Sequence, residues 1–122
     1  MSVHHVLVVE DSPGIQRLIE VCLRPLGVEL STADDGPAGL EAARRIRPDL
    51  LVLDIGLPQM DGWEVLRNLR ADDETADLPV LVLTAHAEEE SRRRATDGGA
   101  DGFVTKPFQP DDFRTEVRRL LA

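Results

Sequence analysis

Short apolar runs recur along the chain between longer mixed segments: Val6 to Val9, Val28 to Ala33, Leu50 to Leu53, Val80 to Leu83 and Gly102 to Thr105. The second is weaker and alternates. Runs of this length, rich in Val and Leu, suit strands covered on both faces, the condition of a parallel sheet. The segments between them carry helical spacing. Ile15, Leu18, Ile19, Cys22 and Leu23 follow a 3, 1, 3, 1 pattern, the stripe of a helix with one buried face, which Gly27 should stop. Further helices are predicted from Pro37 to about Ile46, Gly62 to about Arg70, Glu88 to about Asp97 and Pro110 to Leu121, the last marked by Phe113, Val117, Leu120 and Leu121.

Strict alternation of strand and helix, five times over, predicts an α/β fold: a doubly wound five-stranded parallel sheet with helices on both faces. At 122 residues the chain has the size of one domain able to bury its own core, so residues 1–122 are expected to form a single unit. No linker, repeat or low-complexity tract interrupts it. Ligands of such sheets sit beyond the carboxyl ends of the strands, so chemistry is sought in the loops after the apolar runs.

Those loops carry reactive residues. Glu10, Asp11, Ser12 and Pro13 follow the first run, Asp54 through Pro58 the third, Thr84 and His86 the fourth, and Lys106 and Pro107 the fifth. Each has an ordinary structural alternative. Asp11 or Ser12 could cap a helix that begins with Pro13. Asp54 could open a turn, and Thr84 and Lys106 could be plain loop residues. In combination the set is more telling, because acids gathered at one edge raise one another's pKa unless a cation neutralises them. Oxygen ligands with no thiolate or histidine pair favour Mg2+, which keeps several waters beside one or two protein carboxylates. Glu10, Asp11 and Asp54 could supply that shell. Phosphate oxygens could enter it, with Asp54 as nucleophile, Lys106 as a point charge and Thr84 as a hydroxyl donor.

Charge and composition narrow the choices. Fourteen basic against twenty-three acidic residues give a net charge of -9, which opposes direct nucleic-acid binding. The basic groups Arg44 with Arg45, and Arg92 to Arg94, fall in predicted helices and read as solvated faces. The lone Cys22 cannot form an internal disulfide, which suits a cytoplasmic setting. No run approaches the roughly 18 apolar residues of a membrane span, and the start lacks the pattern of a signal peptide.

With these residues in place, the chain resembles the receiver domain of bacterial two-component response regulators, including the chemotaxis receivers, from about Val6 to Leu121. The resemblance is carried by VLVVEDSP, LLVLDIGLPQMDGWEVL, VLVLTAHA and GADGFVTKPF. It implies a flavodoxin-like strand order 2-1-3-4-5 and a phosphoprotein that takes a phosphoryl group onto Asp54 from a histidine kinase or histidine phosphotransfer protein. It also implies Asp11, Asp54 and the Gly56 carbonyl as direct Mg2+ ligands, with Glu10 acting through water. Thr84 and Lys106 would contact the phosphoryl group. Phe103 would turn inward as Thr84 moves, so that the fourth helix, fifth strand and fifth helix form the signalling face. Lys106-Pro107 would be a cis peptide.

Gly56 and His86 would tune the rate. Gly56 could equally be glycine because its loop needs an unusual torsion, and His86 a solvated loop residue. Phe103 could equally be a plain core aromatic, and Trp63, Cys22 and Met60 read as packing or surface residues.

Rival functions fit less well. An aspartate-nucleophile phosphatase would want a second acid where Gly56 stands, and a nucleotide carrier of this fold would want a phosphate cradle where Glu10 and Asp11 stand. A binding-only relative would lack an acid, the threonine or the lysine. The expected protein is a signalling switch, acting only on its own phosphorylation state and without turnover on outside substrates. Whether it stands alone or is fused to an output domain, and whether it is a monomer or a phosphorylation-dependent homodimer, the sequence leaves open.

Overall fold

The structure, a computed structural model, describes residues 3–57, 59–85 and 89–122. Five strands, β1 (His5–Val9), β2 (Glu29–Ala33), β3 (Leu50–Asp54), β4 (Val80–Thr84) and β5 (Gly102–Thr105), alternate with helices α1 (Pro13–Leu23), α2 (Gly36–Ile46), α3 (Gly62–Ala71), α4 (Glu89–Asp97) and α5 (Pro110–Leu121). All strand pairs are parallel, in the order β2-β1-β3-β4-β5. This is the doubly wound sheet that the alternation predicted, in the flavodoxin-like order that the resemblance implied.

Side chains on successive strand residues point to opposite faces, and both faces are filled. Leu7, Val9, Leu51, Leu53 and Val82 meet residues of α2 and α3 such as Leu40, Val65 and Leu69. Val6, Val8, Val52, Leu81 and Leu83 meet Ile19 and Leu23 of α1 and Phe113 and Val117 of α5. Every residue of β3 and β4 is buried, which is why those runs show no polar alternation. β2 lies at the edge and is half exposed, matching its weaker pattern; it starts at Glu29, one residue after Val28.

The helix starts follow their capping chemistry. Ser12, Asp35 and Asp61 accept hydrogen bonds from the backbone amides of Ile15, Ala38 and Glu64, satisfying first-turn donors that have no partner within the helix. Ser12, rather than Asp11, is therefore the cap of α1. Gly27 does end the segment after α1, at φ 67°, but the α-helix itself stops at Leu23. Pro25 cannot supply an amide proton, and Arg24–Leu26 tighten into a 3-10 turn. Leu18, placed in the apolar stripe, is 40% exposed. It lies roughly a quarter-turn from the centre of the face formed by Ile19, Cys22 and Leu23. The predicted first residue of the fourth helix, Glu88, lies outside the described residues, as do His86 and Pro58.

At the start of α3, close packing fixes the loop that follows β3. A Cβ on Gly62 would come within 2.5 Å of the Ile55 Cα and 2.7 Å of the Asp54 carbonyl oxygen, and the Gly62 amide donates to the Ile55 carbonyl at 2.9 Å. Only glycine permits that approach. Among the described residues no helix is long and apolar enough to cross a membrane. Cys22 is a buried free thiol whose pKa burial pushes up.

Candidate active site

Register brings the reactive residues to one edge. Asp54 and Thr84 are the last residues of β3 and β4 rather than loop residues: the ladders continue through the pairs Asp54 with Leu83 and Thr84 with Thr105. Both are buried, at 3% and 2% exposure. Glu10 extends β1 by one step, its amide donating to the Ala33 carbonyl at 3.0 Å, and is 1% exposed. Lys106 extends β5 in the same way, its amide donating to the Thr84 carbonyl at 2.7 Å. Four strands thus each deliver one functional residue. The Lys106-Pro107 peptide is cis.

The side chains converge. Lys106 Nζ lies 3.1 Å from Asp54 Oδ1 and 3.4 Å from Glu10 Oε2. Glu10 Oε1 accepts from the Ser12 amide at 3.2 Å, and the Gly56 amide donates to Asp54 Oδ1 at 3.1 Å. Burial, and then the charge of Asp54, push the Glu10 carboxyl up to about 7. Burial pulls Lys106 down, but the hydrogen bond and charge of Asp54, joined by Glu10, outweigh it and leave its pKa raised. Ligand atoms of Glu10, Asp11 and Asp54 all lie within 4.8 Å of one another. One ammonium among three carboxylates leaves an excess of negative charge, and the donors are hard oxygens. The residues present therefore fit a divalent cation of the magnesium type.

Other expected positions fall into place or shift. Asp11 is exposed at the rim. Gly56 does not adopt a positive φ, and a Cβ there would meet only Asp54 Oδ1, at 3.9 Å, so no torsional demand explains the glycine. Phe103 pairs in register with Val82, two residues before Thr84, so the two lie on the same face of the sheet. Its ring is half-buried and packed against the core, with the Arg92 guanidinium 4.8 Å from its centroid.

A cavity of about 760 Å³ opens on this edge. Its floor is formed by the acids, Thr84 and Lys106, and its wall includes Asp61, Trp63, Glu90, Ser91 and Arg94. The sequence pattern did not single out these wall residues. Trp63 read as packing and Arg92 to Arg94 as a solvated face, yet Arg94 lies 4.6 Å over the Trp63 ring. Arg92 and Arg94 are exposed but each caps an aromatic ring. A run of arginines in a chain with few aromatics was the available signal, and the pairing exists only once α3, α4 and β5 are assembled.

The comparisons with known proteins agree with one another. The profile of the "Response regulator receiver domain" matches residues 6–118. The chain is 40% identical over 116 residues to the DNA-binding dual master transcriptional regulator RpaA of Synechocystis, covering 95% of this chain and 48% of that protein. It is 41% identical over 116 residues to the transcriptional regulatory protein KdpE of Mycobacterium tuberculosis, covering 95% and 50%. The chain thus spans about half the length of these relatives. Among solved structures, the chemotaxis protein CheY4 of Vibrio cholerae superposes with a TM-score of 0.91 at 31% identity, covering 98% of this chain and 100% of that one. The receiver domain of a sensor histidine kinase of Pseudomonas aeruginosa, with magnesium coordinated in its active-site cleft, gives 0.89 at 31% identity and 98% coverage of both.

Proposed function

This chain belongs to the response regulator receiver domain family, and we propose that Asp54 is its phosphoacceptor, taking a phosphoryl group from a phosphohistidine of a kinase or phosphotransfer protein. The observation that carries this is the Lys106 ammonium held between the buried carboxylates of Asp54 and Glu10. A buried carboxylate beside a fixed cation and an amide is oriented for in-line attack, since positioning and charge stabilisation dominate phosphoryl transfer. An Asp54 oxygen bonds to phosphorus as the donor's own bond to phosphorus breaks, and the leaving group departs with the electron pair. Lys106 sets its positive charge against the phosphoryl oxygens, and the Thr84 hydroxyl donates to one of them.

Asp11, Asp54 and the Gly56 carbonyl would hold magnesium, with Glu10 acting through water, and the ion would supply neutralisation of the charge that spreads over the transferring group. The presence of magnesium in the similar Pseudomonas receiver supports this assignment. The same charge arrangement serves water attack on the acyl phosphate, so the domain controls its own modification without turning over outside substrates. Gly56 and His86 tune those rates.

The modification adds charge and strong acceptor oxygens beneath Thr84. Thr84 and Phe103, on one sheet face, carry the change toward α4, β5 and α5, the surface read by a downstream protein or fused output domain. Residues 1–122 act as one domain in the cytoplasm, as a monomer or a phosphorylation-dependent dimer. Intact mass after incubation with a small phosphodonor tests the central assignment. Wild type gains one phosphoryl group only with magnesium, and Asp54→Asn gains none; equal gain by both would overturn it.

A further inference from the structure

The cavity is larger than a phosphoryl group requires and strongly unbalanced in charge. Among the described residues five carboxylates face it, from Glu10, Asp11, Asp54, Asp61 and Glu90, against two cations, Lys106 and Arg94. Lys106 is committed to the acids on the floor. Arg94 also lines the cavity, its guanidinium over Trp63. Among the described residues it forms no ion pair, not even with Glu90 one turn earlier in α4; stacking on the indole fixes its direction instead.

A donor whose phosphoryl group meets Asp54 and Lys106 must place its leaving group on the other side of phosphorus, because attacking and leaving atoms lie roughly in line. That side is the open part of the cavity, where Arg94 is the second cation. Resting on the phosphoacceptor assignment above, we propose that Arg94 is a specificity-determining residue among small-molecule phosphodonors, which favours those whose leaving group departs as an anion, the acyl phosphates, over those whose leaving group departs as a neutral amine.

The balance of the step is simple. An Asp54 oxygen forms a bond to phosphorus while the bond from phosphorus to the acyl oxygen breaks. The electron pair stays on that oxygen and a carboxylate leaves, with no proton transferred. In a loose transition state much of that charge has already developed on the leaving oxygen. A guanidinium facing it stabilises the transition state more than the ground state, which raises the rate. With phosphoramidate, ammonia leaves and takes no net negative charge, so the same guanidinium contributes little.

Phosphorylation rates with acetyl phosphate and with phosphoramidate, both with magnesium and followed by intact mass, test this in wild type, Arg94→Ala, Arg94→Lys and Arg93→Ala. Arg93 is exposed on the same helix and does not line the cavity. Arg94→Ala is expected to lower the acetyl phosphate rate about fivefold or more and the phosphoramidate rate by less than about twofold, since only the first donor develops charge at the guanidinium. Arg94→Lys keeps part of the preference, and Arg93→Ala leaves the ratio of the two rates at its wild-type value. An unchanged ratio in Arg94→Ala, or an equal change in Arg93→Ala, overturns the role of Arg94 while leaving Asp54 as acceptor. No phosphoryl gain by wild type from either donor overturns both.

Discussion

Lys106 Nζ sits 3.1 Å from Oδ1 of Asp54, and it reaches that position because its own amide is tied to the Thr84 carbonyl at 2.7 Å. The backbone of the fifth strand thereby sets the distance between the ammonium and the Asp54 carboxylate. Lys106→Met should keep the ladder but remove the charge, lowering the rate of phosphoryl gain roughly 100-fold, the usual cost of deleting one donor from a site of developing charge. Initial rates with a small phosphodonor and magnesium check this. A rate within about twofold of wild type would contradict the role given to the ammonium.

Glu10 gives the metal-free protein a pH-dependent stability. Its carboxyl titrates from 4.5 in the unfolded chain to about 7 in the folded one, chiefly through burial. Between those values the folded chain holds a proton that the unfolded chain has lost, so stability falls as pH rises through this window. The raised pKa of Lys106 acts only above its ordinary range and leaves this window untouched. Denaturant unfolding in a chelator should therefore show a lower midpoint at the upper end of the window than at the lower, and Glu10→Gln should flatten the slope. A wild-type midpoint that rises with pH would contradict the direction.

Magnesium should bind the folded chain alone, because the three carboxylates are gathered only there. Thermal unfolding is then expected to shift upward with magnesium concentration, by about 2.7 kcal/mol at a hundred times the dissociation constant. Asp11→Asn and Asp54→Asn should each blunt the shift, and chelator should abolish it. Calorimetric scans across a magnesium series provide the measurement.

Gly62 offers a test remote from the charged groups. The atoms that would oppose a Cβ belong to the backbone at Asp54 and Ile55, and backbone cannot rotate aside as a side chain can. Gly62→Ala should cost about 1–3 kcal/mol, as overpacking usually does. It should also slow phosphoryl gain, since relief of the clash moves the acceptor's own main chain. Unfolding midpoints and phosphorylation rates measured together would show whether the two effects appear jointly.

Much of this architecture was legible in the chain because buried strands advertise themselves. β3 and β4 have no exposed position, so their apolar runs are unbroken, and strand ends then locate Glu10, Asp54, Thr84 and Lys106. The outcome was blurred where local and tertiary demands differ. The apolar stripe of α1 did not show that Pro25 would tighten its end, nor that Leu18 would lie at the margin of the contact. The torsional explanation for Gly56 could be judged only from its backbone. The contacts of Arg92 with Phe103 and Arg94 with Trp63 join residues from separate elements, and a guanidinium on an indole carries no periodicity to detect.

One consequence follows from how little of α4 is interior. Ala95 is its only buried residue, and Glu89, Arg93, Thr96 and Asp97 are exposed away from the cavity. Substitutions at such positions usually change stability by no more than about 0.5 kcal/mol. On the proposed signalling face the helix would then be a rewritable address: its outward lettering can diverge from copy to copy while the sheet beneath stays the same. A duplicated gene could acquire a new correspondent through this helix without having to relearn how to fold.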